Sequence, residues 1–249
     1  LGLWEYWKTH TVGLRSRGVQ PNAIATFLGL LFPVAAWLNA LSLTSYPGST
    51  LLNPDFEWTL GLGLAFLWET WLCWRVGIRP IAINLGVGLL GAFYVGWLFS
   101  FLIRLRLVEG TRLLLGYPVE QGAVLLFWLF ITIWIGDTAA YFVGRAFGRR
   151  KLAPLLSPSK TVEGTIAHLL SSLVVRLVLA NGLGFTLLQG GLIGVGVGIL
   201  GQIGDLFKSA FKRALGIKDF GNLLPGHGGV LDRFDSLLFT AGWMWYVIR

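Results

Sequence analysis

The stretch LPGHGGVLDRFDS (residues 224–236) places three glycines, a proline, a histidine, an arginine and two aspartates in a chain that is otherwise strongly apolar. The glycines let the backbone approach a ligand closely and expose its N–H groups. Asp232 and Asp235 are three residues apart, so both side chains can face the same way at the start of the apolar helix that follows. A carboxylate pair near a helix N-terminus, with Arg233 between, suits a divalent metal ion and a phosphate group. The role of this stretch depends on the protein that surrounds it.

Composition indicates an integral membrane protein. Of the residues, 55% are hydrophobic and 13% are charged, against about 25% charged in soluble domains. A bilayer core takes about 20 residues of helix. We therefore predict an all-α fold, a polytopic transmembrane helical bundle, whose residues 1–22 form an amphipathic interfacial segment. The predicted spans number seven. Because the glycine-rich stretch 81–103 could form two short helices, we predict about seven to nine spans. The predicted spans lie near residues 23–43, 59–74, 81–103, 122–143, 161–180, 186–203 and 234–248.

The basic residues predict the orientation of these spans. With the N-terminus inside, the inside segments carry 15 of the 20 Lys and Arg residues. Such a bias marks the cytoplasmic side, so the predicted active site lies at the cytoplasmic boundary of the cell inner membrane or an equivalent membrane. We divide this one integral membrane unit into an N-terminal region (1–120), with the interfacial segment and helices, and a C-terminal transmembrane catalytic region (121–249). The inside segments are 1–22, 75–80, 144–160 and 204–233.

The formal charge of +8 indicates which kinds of binding partner the protein favours. In a membrane protein it favours the anionic surface of a lipid bilayer or a phosphate-bearing substrate. No basic stripe with interleaved aromatic residues lies outside the predicted spans, so we predict no nucleic-acid partner. The single cysteine, Cys73, excludes an intramolecular disulfide and a cysteine metal site. The sequence leaves a homodimer open.

Acidic residues mark the candidate site. Acids in or beside a membrane are costly unless they are paired or bind a metal, so they are functional candidates. Asp137 lies inside an apolar helix, with Tyr141 one turn later. On a helix, Asp205 and Lys208 share one face with Ser209 and Lys212, although a surface Asp–Lys pair is the ordinary alternative. From residue 136 onward the acids are Asp137, Glu163, Asp205, Asp219, Asp232 and Asp235.

The segment SPSKTVEG (157–164) has two interpretations. Pro158 stops any preceding helix, and Ser159 or Thr161 could cap the helix that follows, with an acid close behind. A capped helix start explains the segment as well as a substrate site does. Lys160 is the basic residue that a phosphate site would use there.

Several segments together resemble the phosphatidate cytidylyltransferases, also called CDP-diacylglycerol synthases. Gly136 stands where this family often has serine, and Ser159 where it often has lysine. Residues 1–120 resemble the family only in hydropathy, and the motifs cover residues 133–235. The segments that carry the resemblance are GDTAAY (136–141), SPSKTVEG (157–164), SAFKR (209–213), KD (218–219) and PGHGGVLDRFD (225–235).

The resemblance implies that CTP and phosphatidic acid condense to CDP-diacylglycerol and pyrophosphate. It implies a polytopic helical fold, dependence on Mg²⁺ and room for a second, monovalent cation such as K⁺. We predict that Asp205 and Asp232 are the Mg²⁺ ligands, with Asp235 and Asp219 as second choices. We expect His227 to orient a ligand rather than act as a base. The remaining candidates are Lys212 and Arg233 for catalysis, and Asp137, Lys160, Ser209, Arg213, Lys218 and Gly228 for substrate binding, together with Asp219 and His227.

Two alternatives remain open at this point. A CTP-dependent polyprenol or phytol kinase would also use CTP in a membrane, but would transfer the γ-phosphoryl group to a hydroxyl. An ion transporter could line a path with Asp137, Glu69 and His168. Matching halves with broken helices, which many transporters show, are not evident here. Arg176 lies in a span and could extend its charge to the interface.

Overall fold

The computed structural model describes residues 1–14, 22–43, 64–65, 67–68, 70–75, 81–114, 117–180, 182, 184–217, 219–221 and 229–249. The described chain is mostly helical. It divides into two compact units, one formed by residues 1–104 with 214–233 and the other by 105–213 with 234–249. The division of the chain at residue 120 remains a prediction.

The first unit contains the N-terminal helices. Asn22 caps the second of them, since its Oδ1 accepts a hydrogen bond from the Ala25 N–H at 2.7 Å. A 3₁₀ turn (Leu28–Leu30) joins the second and third helices. The helices are α1 (Gly2–Leu14), α2 (Ala23–Phe27), α3 (Leu31–Leu43), α4 (Ile81–Gly91) and α5 (Leu98–Arg106).

Glycines in the Ile81–Arg106 stretch bring helices together rather than ending one. A π-helical segment (Ala92–Trp97) joins α4 to α5, so the stretch is one continuous helix. A Cβ at Gly96 would overlap the backbone of Gly29, and one at Gly91 would lie 2.5 Å from the Tyr6 ring. The prediction that this stretch could be two short helices is therefore wrong.

The second unit combines long helices with two short antiparallel strand pairs, β1 with β2 and β3 with β4. The strand pairs depart from the predicted all-α fold. Proline cannot continue a helix, and Pro118 lies in β2 while Pro154 and Pro158 lie in or beside the β3–β4 pair. The elements are β1 (Thr111–Leu114), β2 (Tyr117–Glu120), α6 (Gln121–Phe147), β3 (Lys151–Ala153), β4 (Ser157–Thr161), α7 (Val162–Ala180), α8 (Leu187–Leu215) and α9 (Leu231–Ile248).

Thr161 ends β4 and begins α7. Its Oγ1 accepts a hydrogen bond from the Gly164 N–H at 3.2 Å, and Glu163 lies in the first turn. This confirms the predicted helix start, with Thr161 as the cap. A Cβ at Gly164 would lie 2.8 Å from the Ala140 carbonyl oxygen, and one at Gly144 would lie 2.9 Å from Thr161 Oγ1. Glycine at these positions therefore lets α6 and α7 pack closely.

Four helices among the described residues are long and apolar enough to cross a membrane. They match the predicted spans near 81–103, 122–143, 161–180 and 186–203. The predicted span 23–43 is helical through α2 and α3, and 234–248 lies within α9, but neither is among the four. Of the predicted span 59–74, residues 64–65, 67–68 and 70–74 are described and helical, and the rest lie outside the described residues. The four are Ile81–Arg106, Gln121–Phe147, Val162–Ala180 and Leu187–Leu215.

Arg176 does not extend toward the interface, contrary to the sequence interpretation. Its side chain is 1% exposed, and its Nη2 donates to Met244 Sδ at 3.6 Å. Large apolar side chains instead cover the outer surfaces of α6 and α7, including Trp134, Phe142 and Val178. An apolar outer surface around a polar interior suits a helix bundle in lipid.

Candidate active site

The second unit contains a half-open cavity of about 150 Å³. Helices α6, α7 and α8 and strand β4 supply its lining. The lining residues are polar or small, which makes the cavity unlike the apolar outer surface of the same helices. They are Asp137, Ala140, Tyr141, Gly144, Ser159, Lys160, Thr161, Gly164, Thr165, Gln202 and Asp205.

A chain of four charges runs from the cavity wall into the interior of this unit. Lys160 Nζ lies 2.5 Å from Asp205 Oδ2, and Lys208 Nζ lies 3.2 Å from Asp205 Oδ1. Lys208 Nζ also lies 2.5 Å from Asp235 Oδ2. Lys208 and Asp235 are buried, at 9% and 6% exposed. The two ammonium groups balance the two carboxylates, as buried charges require. These four residues are called the charge cluster below.

Helix spacing, a close approach of α8 and α9 and one hydrogen bond between them position the charge cluster. Asp205 and Lys208 are three residues apart on α8, so their side chains meet. A Cβ at Gly204 would lie 2.7 Å from the Asp235 carbonyl oxygen, so glycine allows α9 to approach α8 there. Ser236 Oγ donates to the Gly201 carbonyl at 3.1 Å and joins the same two helices. From β4, the Lys160 ammonium reaches α8 and also donates to Gln202 Oε1 at 2.9 Å.

Asp137 lies on α6 at the edge of the cavity. Its Oδ1 is 3.4 Å from His168 Nε2 on α7. The Asp137 side chain is 59% exposed, whereas that of His168 is 1% exposed. One turn after Asp137, the Tyr141 hydroxyl accepts a hydrogen bond from Arg145 Nη1 at 3.0 Å. The cavity thus brings together three predicted residues, Asp137, Lys160 and Asp205, from separate segments of the chain.

In the first unit, two carboxylates hold the backbone that leads into α9. Asp232 Oδ2 accepts hydrogen bonds from the N–H groups of Phe220, at 2.9 Å, and Gly229, at 3.0 Å. Glu5 of α1 accepts from the N–H groups of Val230 and Leu231, at 3.0 and 3.1 Å. A carboxylate at a helix N-terminus is stabilising. Asp232 therefore has an ordering role in this structure, and its role as a Mg²⁺ ligand stays a prediction.

The other predicted residues are distributed along the two units. Arg213 Nε donates to the Leu156 carbonyl at 3.4 Å, so it reaches the β3–β4 pair. Ser209 and Lys212 lie half-buried on α8 beyond the charge cluster, while Asp219 and Arg233 are exposed in the first unit. Outside the described residues lie Glu69, Lys218, His227 and Gly228.

Sequence reasoning missed Lys208, His168 and Glu5 as candidate site residues. Lys208 shares a helix face with Asp205, but its other partner, Asp235, follows it by 27 residues on another helix. The surface Asp–Lys alternative is wrong because Lys208 is buried. The i,i+3 spacing indicated the contact of Lys208 with Asp205, whereas no spacing in the sequence indicates its contact with Asp235.

The donor atoms of the charge cluster fit Mg²⁺. Asp205 and Asp235 approach one ammonium group from two sides, so their carboxylates lie close together. Carboxylate oxygens are the donors that Mg²⁺ prefers, and it commonly takes substrate phosphates as further ligands. No group of three or more His, Cys, Asp or Glu side chains suited to a metal occurs among the described residues.

Comparisons with known proteins identify the family. The model of the cytidylyltransferase family matches residues 3–249. A phosphatidate cytidylyltransferase of Bacillus subtilis is 38% identical over 161 residues, which cover 64% of this chain and 56% of the relative. One from Staphylococcus aureus is 40% identical over 154 residues, 61% of this chain and 54% of the relative.

A third relative aligns over more of its length. A phosphatidate cytidylyltransferase of Synechocystis is 33% identical over 266 residues, which cover all of this chain and 84% of the relative. By contrast, the chain spans just over half the length of the Bacillus and Staphylococcus relatives. The family model and the Synechocystis relative both extend across the two units, and they show that the chain belongs to the cytidylyltransferase family.

Proposed function

We propose that this protein condenses CTP with phosphatidic acid to form CDP-diacylglycerol and pyrophosphate. The observation that carries the proposal is the charge cluster at the wall of a polar cavity, in a chain of the cytidylyltransferase family. The names of three relatives, which align with 61% or more of this chain, support the same reaction.

The reaction joins two anions. An ionised phosphate oxygen of phosphatidic acid attacks the α-phosphorus of CTP and forms a new P–O bond. The bond from that phosphorus to the bridging oxygen breaks, and pyrophosphate leaves with the electron pair. The attacking oxygen is already ionised near neutral pH, so no general base is needed. Catalysis therefore consists mainly of positioning and of stabilising charge on the phosphoryl oxygens.

The basic residues of the charge cluster suit this task. In this structure the ammonium groups of Lys160 and Lys208 are held by carboxylates. A phosphate oxygen is an alternative partner for Lys160, and charge-assisted hydrogen bonds of this kind are the strong ones. Lys160 lines the cavity and would meet a phosphate directly. Lys208 is buried behind it and would keep the two carboxylates close together.

Asp205 and Asp235 are the side chains that would hold Mg²⁺, with Asp232 as a further predicted ligand. When bound, the ion neutralises charge on the phosphoryl oxygens and orients them. A second, monovalent cation such as K⁺ belongs to the same proposal. In this structure the same two aspartates contact Lys160 and Lys208.

The proposed site lies at the cytoplasmic boundary of a bundle of about seven to nine spans. The lipid substrate stays in the bilayer, whereas CTP is soluble, so a site at the boundary meets both. The concentration of Lys and Arg in the predicted inside segments supports this orientation. The partners in this proposal are CTP, phosphatidic acid and the bilayer.

The test uses CTP labelled at one phosphate. Purified protein is incubated with Mg²⁺, phosphatidic acid and CTP carrying label in either the α- or the γ-phosphate, and the lipids are extracted. We expect α-label in the lipid phase and γ-label in the aqueous pyrophosphate. Label from the γ-phosphate in a lipid would instead identify a kinase. An Asp205→Asn variant serves as the inactive control, and no lipid label with the unmodified protein would refute the proposal.

A further inference from the structure

His168 is a buried polar side chain that the proposed reaction does not use. The residue is 0% exposed on α7, and neither ring nitrogen has a hydrogen-bond partner in the structure. A buried polar group without a partner is costly, so each case calls for an explanation. Two polar groups lie near the ring: the carboxylate of Asp137, whose Oδ1 is 3.4 Å from His168 Nε2, and the buried Ser172 hydroxyl, which shares the space beside Gly136.

Gly136 leaves the space in which this imidazole lies. A Cβ at position 136 would be 2.7 Å from His168 Nε2 and 2.8 Å from His168 Cδ2. On the other side of the ring, a Cβ at Gly201 would be 3.5 Å from His168 Cε1. Glycines of α6 and α8 thus frame the ring, and the residue that follows Gly136 is Asp137 itself.

We infer that His168 is a positioning residue that fixes the carboxylate of Asp137 at the edge of the cavity. The inference rests on the proposed function, because it concerns a phosphate-bearing substrate in that cavity. The Asp137 side chain is 59% exposed, so the buried imidazole is the rigid member of the pair. Asp137 and Lys160 line the same cavity, in which Asp205 and Gln202 already hold Lys160, so a fixed Asp137 carboxylate would position a cation or a polar group of the substrate there.

Four variants separate positioning from general packing. His168→Gln keeps an N–H donor near the position of Nε2, whereas His168→Leu fills similar volume without one. Gly136→Ala displaces the imidazole and changes neither partner of the pair. Thr132→Val on α6 is the matched control, because Thr132 is fully buried and its Oγ1 donates to the Trp128 carbonyl at 2.6 Å, away from the cavity lining.

The measurement is kcat and KM for CTP and for phosphatidic acid separately. We expect His168→Leu and Gly136→Ala to raise one of the two KM values about tenfold, which corresponds to about 1.4 kcal/mol of substrate binding. The KM that rises identifies whether the nucleotide or the lipid places its phosphate in the cavity. His168→Gln and Thr132→Val should stay within about twofold of the unmodified protein.

A purely structural role predicts a different pattern. Loss of folded protein lowers the active fraction, so the apparent kcat falls while both KM values stay unchanged. That pattern in His168→Leu would overturn the inference. In the double variant Gly136→Ala/His168→Ala the steric conflict is relieved, so we expect the melting temperature to recover while KM stays raised. In an Asp137→Asn background, His168→Leu should add no further loss, because His168 acts through Asp137.

A spectroscopic measurement tests the pair without any activity. The chain has three histidines, and ¹⁵N-histidine labelling gives their ring signals, of which His168→Gln assigns one. We expect Asp137→Asn to shift the His168 ring nitrogens. Unchanged signals would refute the inference even if the protein is a working cytidylyltransferase. Absence of lipid label with the unmodified protein would refute the proposed reaction. The ¹⁵N signals would still test whether His168 interacts with Asp137.

Discussion

Lys208 is the residue that joins the charge cluster, because one buried ammonium group contacts both Asp205 and Asp235. Lys208→Met should leave the buried Asp235 without its cation, while Asp205 keeps Lys160, and should lower the free energy of unfolding by about 3 kcal/mol, as when one partner of a buried pair is removed. Thermal melting in detergent measures the loss. Added Mg²⁺ should restore part of it if the carboxylates bind the ion. The exposed Lys151 gives the control Lys151→Met, and equal melting of both variants would contradict the assignment.

Lys160 carries the direct phosphate contact in the proposed reaction. One charge-assisted contact contributes on the order of 1.5–3 kcal/mol. Lys160→Ala should therefore lower kcat/KM by roughly 10- to 100-fold. Kinetics against CTP and phosphatidic acid measure this loss for each substrate. If both efficiencies stay within about twofold of the unmodified protein, then the segment around Thr161 is only a capped helix start.

At the scale of elements, a side chain of α1 binds Val230 and Leu231, the residues of the same unit at which α9 begins. Glu5 accepts from the N–H groups of Val230 and Leu231, and a Cβ at Gly229 would lie 2.6 Å from its Oε2. Glu5→Gln replaces one acceptor oxygen with a donor and removes the charge at the helix N-terminus, which should cost about 1–2 kcal/mol of stability. Amide exchange at Val230 and Leu231 should become faster.

The matched control for Glu5 is another glutamate. Glu120 pairs with Arg106 in the second unit, with both side chains about half exposed or more. Exposed ion pairs contribute about 0–1 kcal/mol, so Glu120→Gln should change melting little. If the two substitutions have equal effects on melting, or if exchange at Val230 is unaltered in Glu5→Gln, then the contact of Glu5 with Val230 and Leu231 is not structural.

Helix α1 should also make stability depend on pH. Burial lowers the pKa of His10 to about 4, against about 6.5 in an unfolded chain. The unfolded state therefore binds more protons between these values, and stability is full above pH 6.5 and is lost as the pH falls toward 4. Between pH 7 and pH 5 we expect a loss of about 2 kcal/mol. A His10→Gln variant should lose less over this range, and identical pH profiles would contradict the buried, neutral state.

At the scale of the whole molecule, hydropathy was enough to predict the four long apolar helices. The capping residues near Thr161 were enough to predict where α7 begins. Contacts between distant segments were not predictable, since nothing local in the sequence marks them. Glu5 meets Val230, which follows it by 225 positions in the chain. His168 lies in an apolar run, and only the structure shows that Gly136 makes room for it.

Membrane orientation is a property of the whole molecule, and the two strand pairs of the second unit offer a test. Helix α6 has 27 residues and lies between β2 and β3. At 1.5 Å per residue it extends about 40 Å, more than the roughly 30 Å of a bilayer core. The strand pairs at its two ends should therefore emerge on opposite sides of the membrane. The basic residues of segment 144–160 predict that the β3–β4 pair is cytoplasmic.

Two single-cysteine variants measure this in a background where Cys73 is replaced by serine. Leu155, beside β3, is 90% exposed and Tyr117, in β2, is 74% exposed, so both positions accept a thiol reagent. In intact cells a membrane-impermeant reagent should label Tyr117→Cys and spare Leu155→Cys, and both should react after the membrane is opened. Labelling of Leu155→Cys alone in intact cells would invert the orientation and place the cavity lined by Lys160 on the side without CTP. Labelling of both would show that α6 does not cross the membrane.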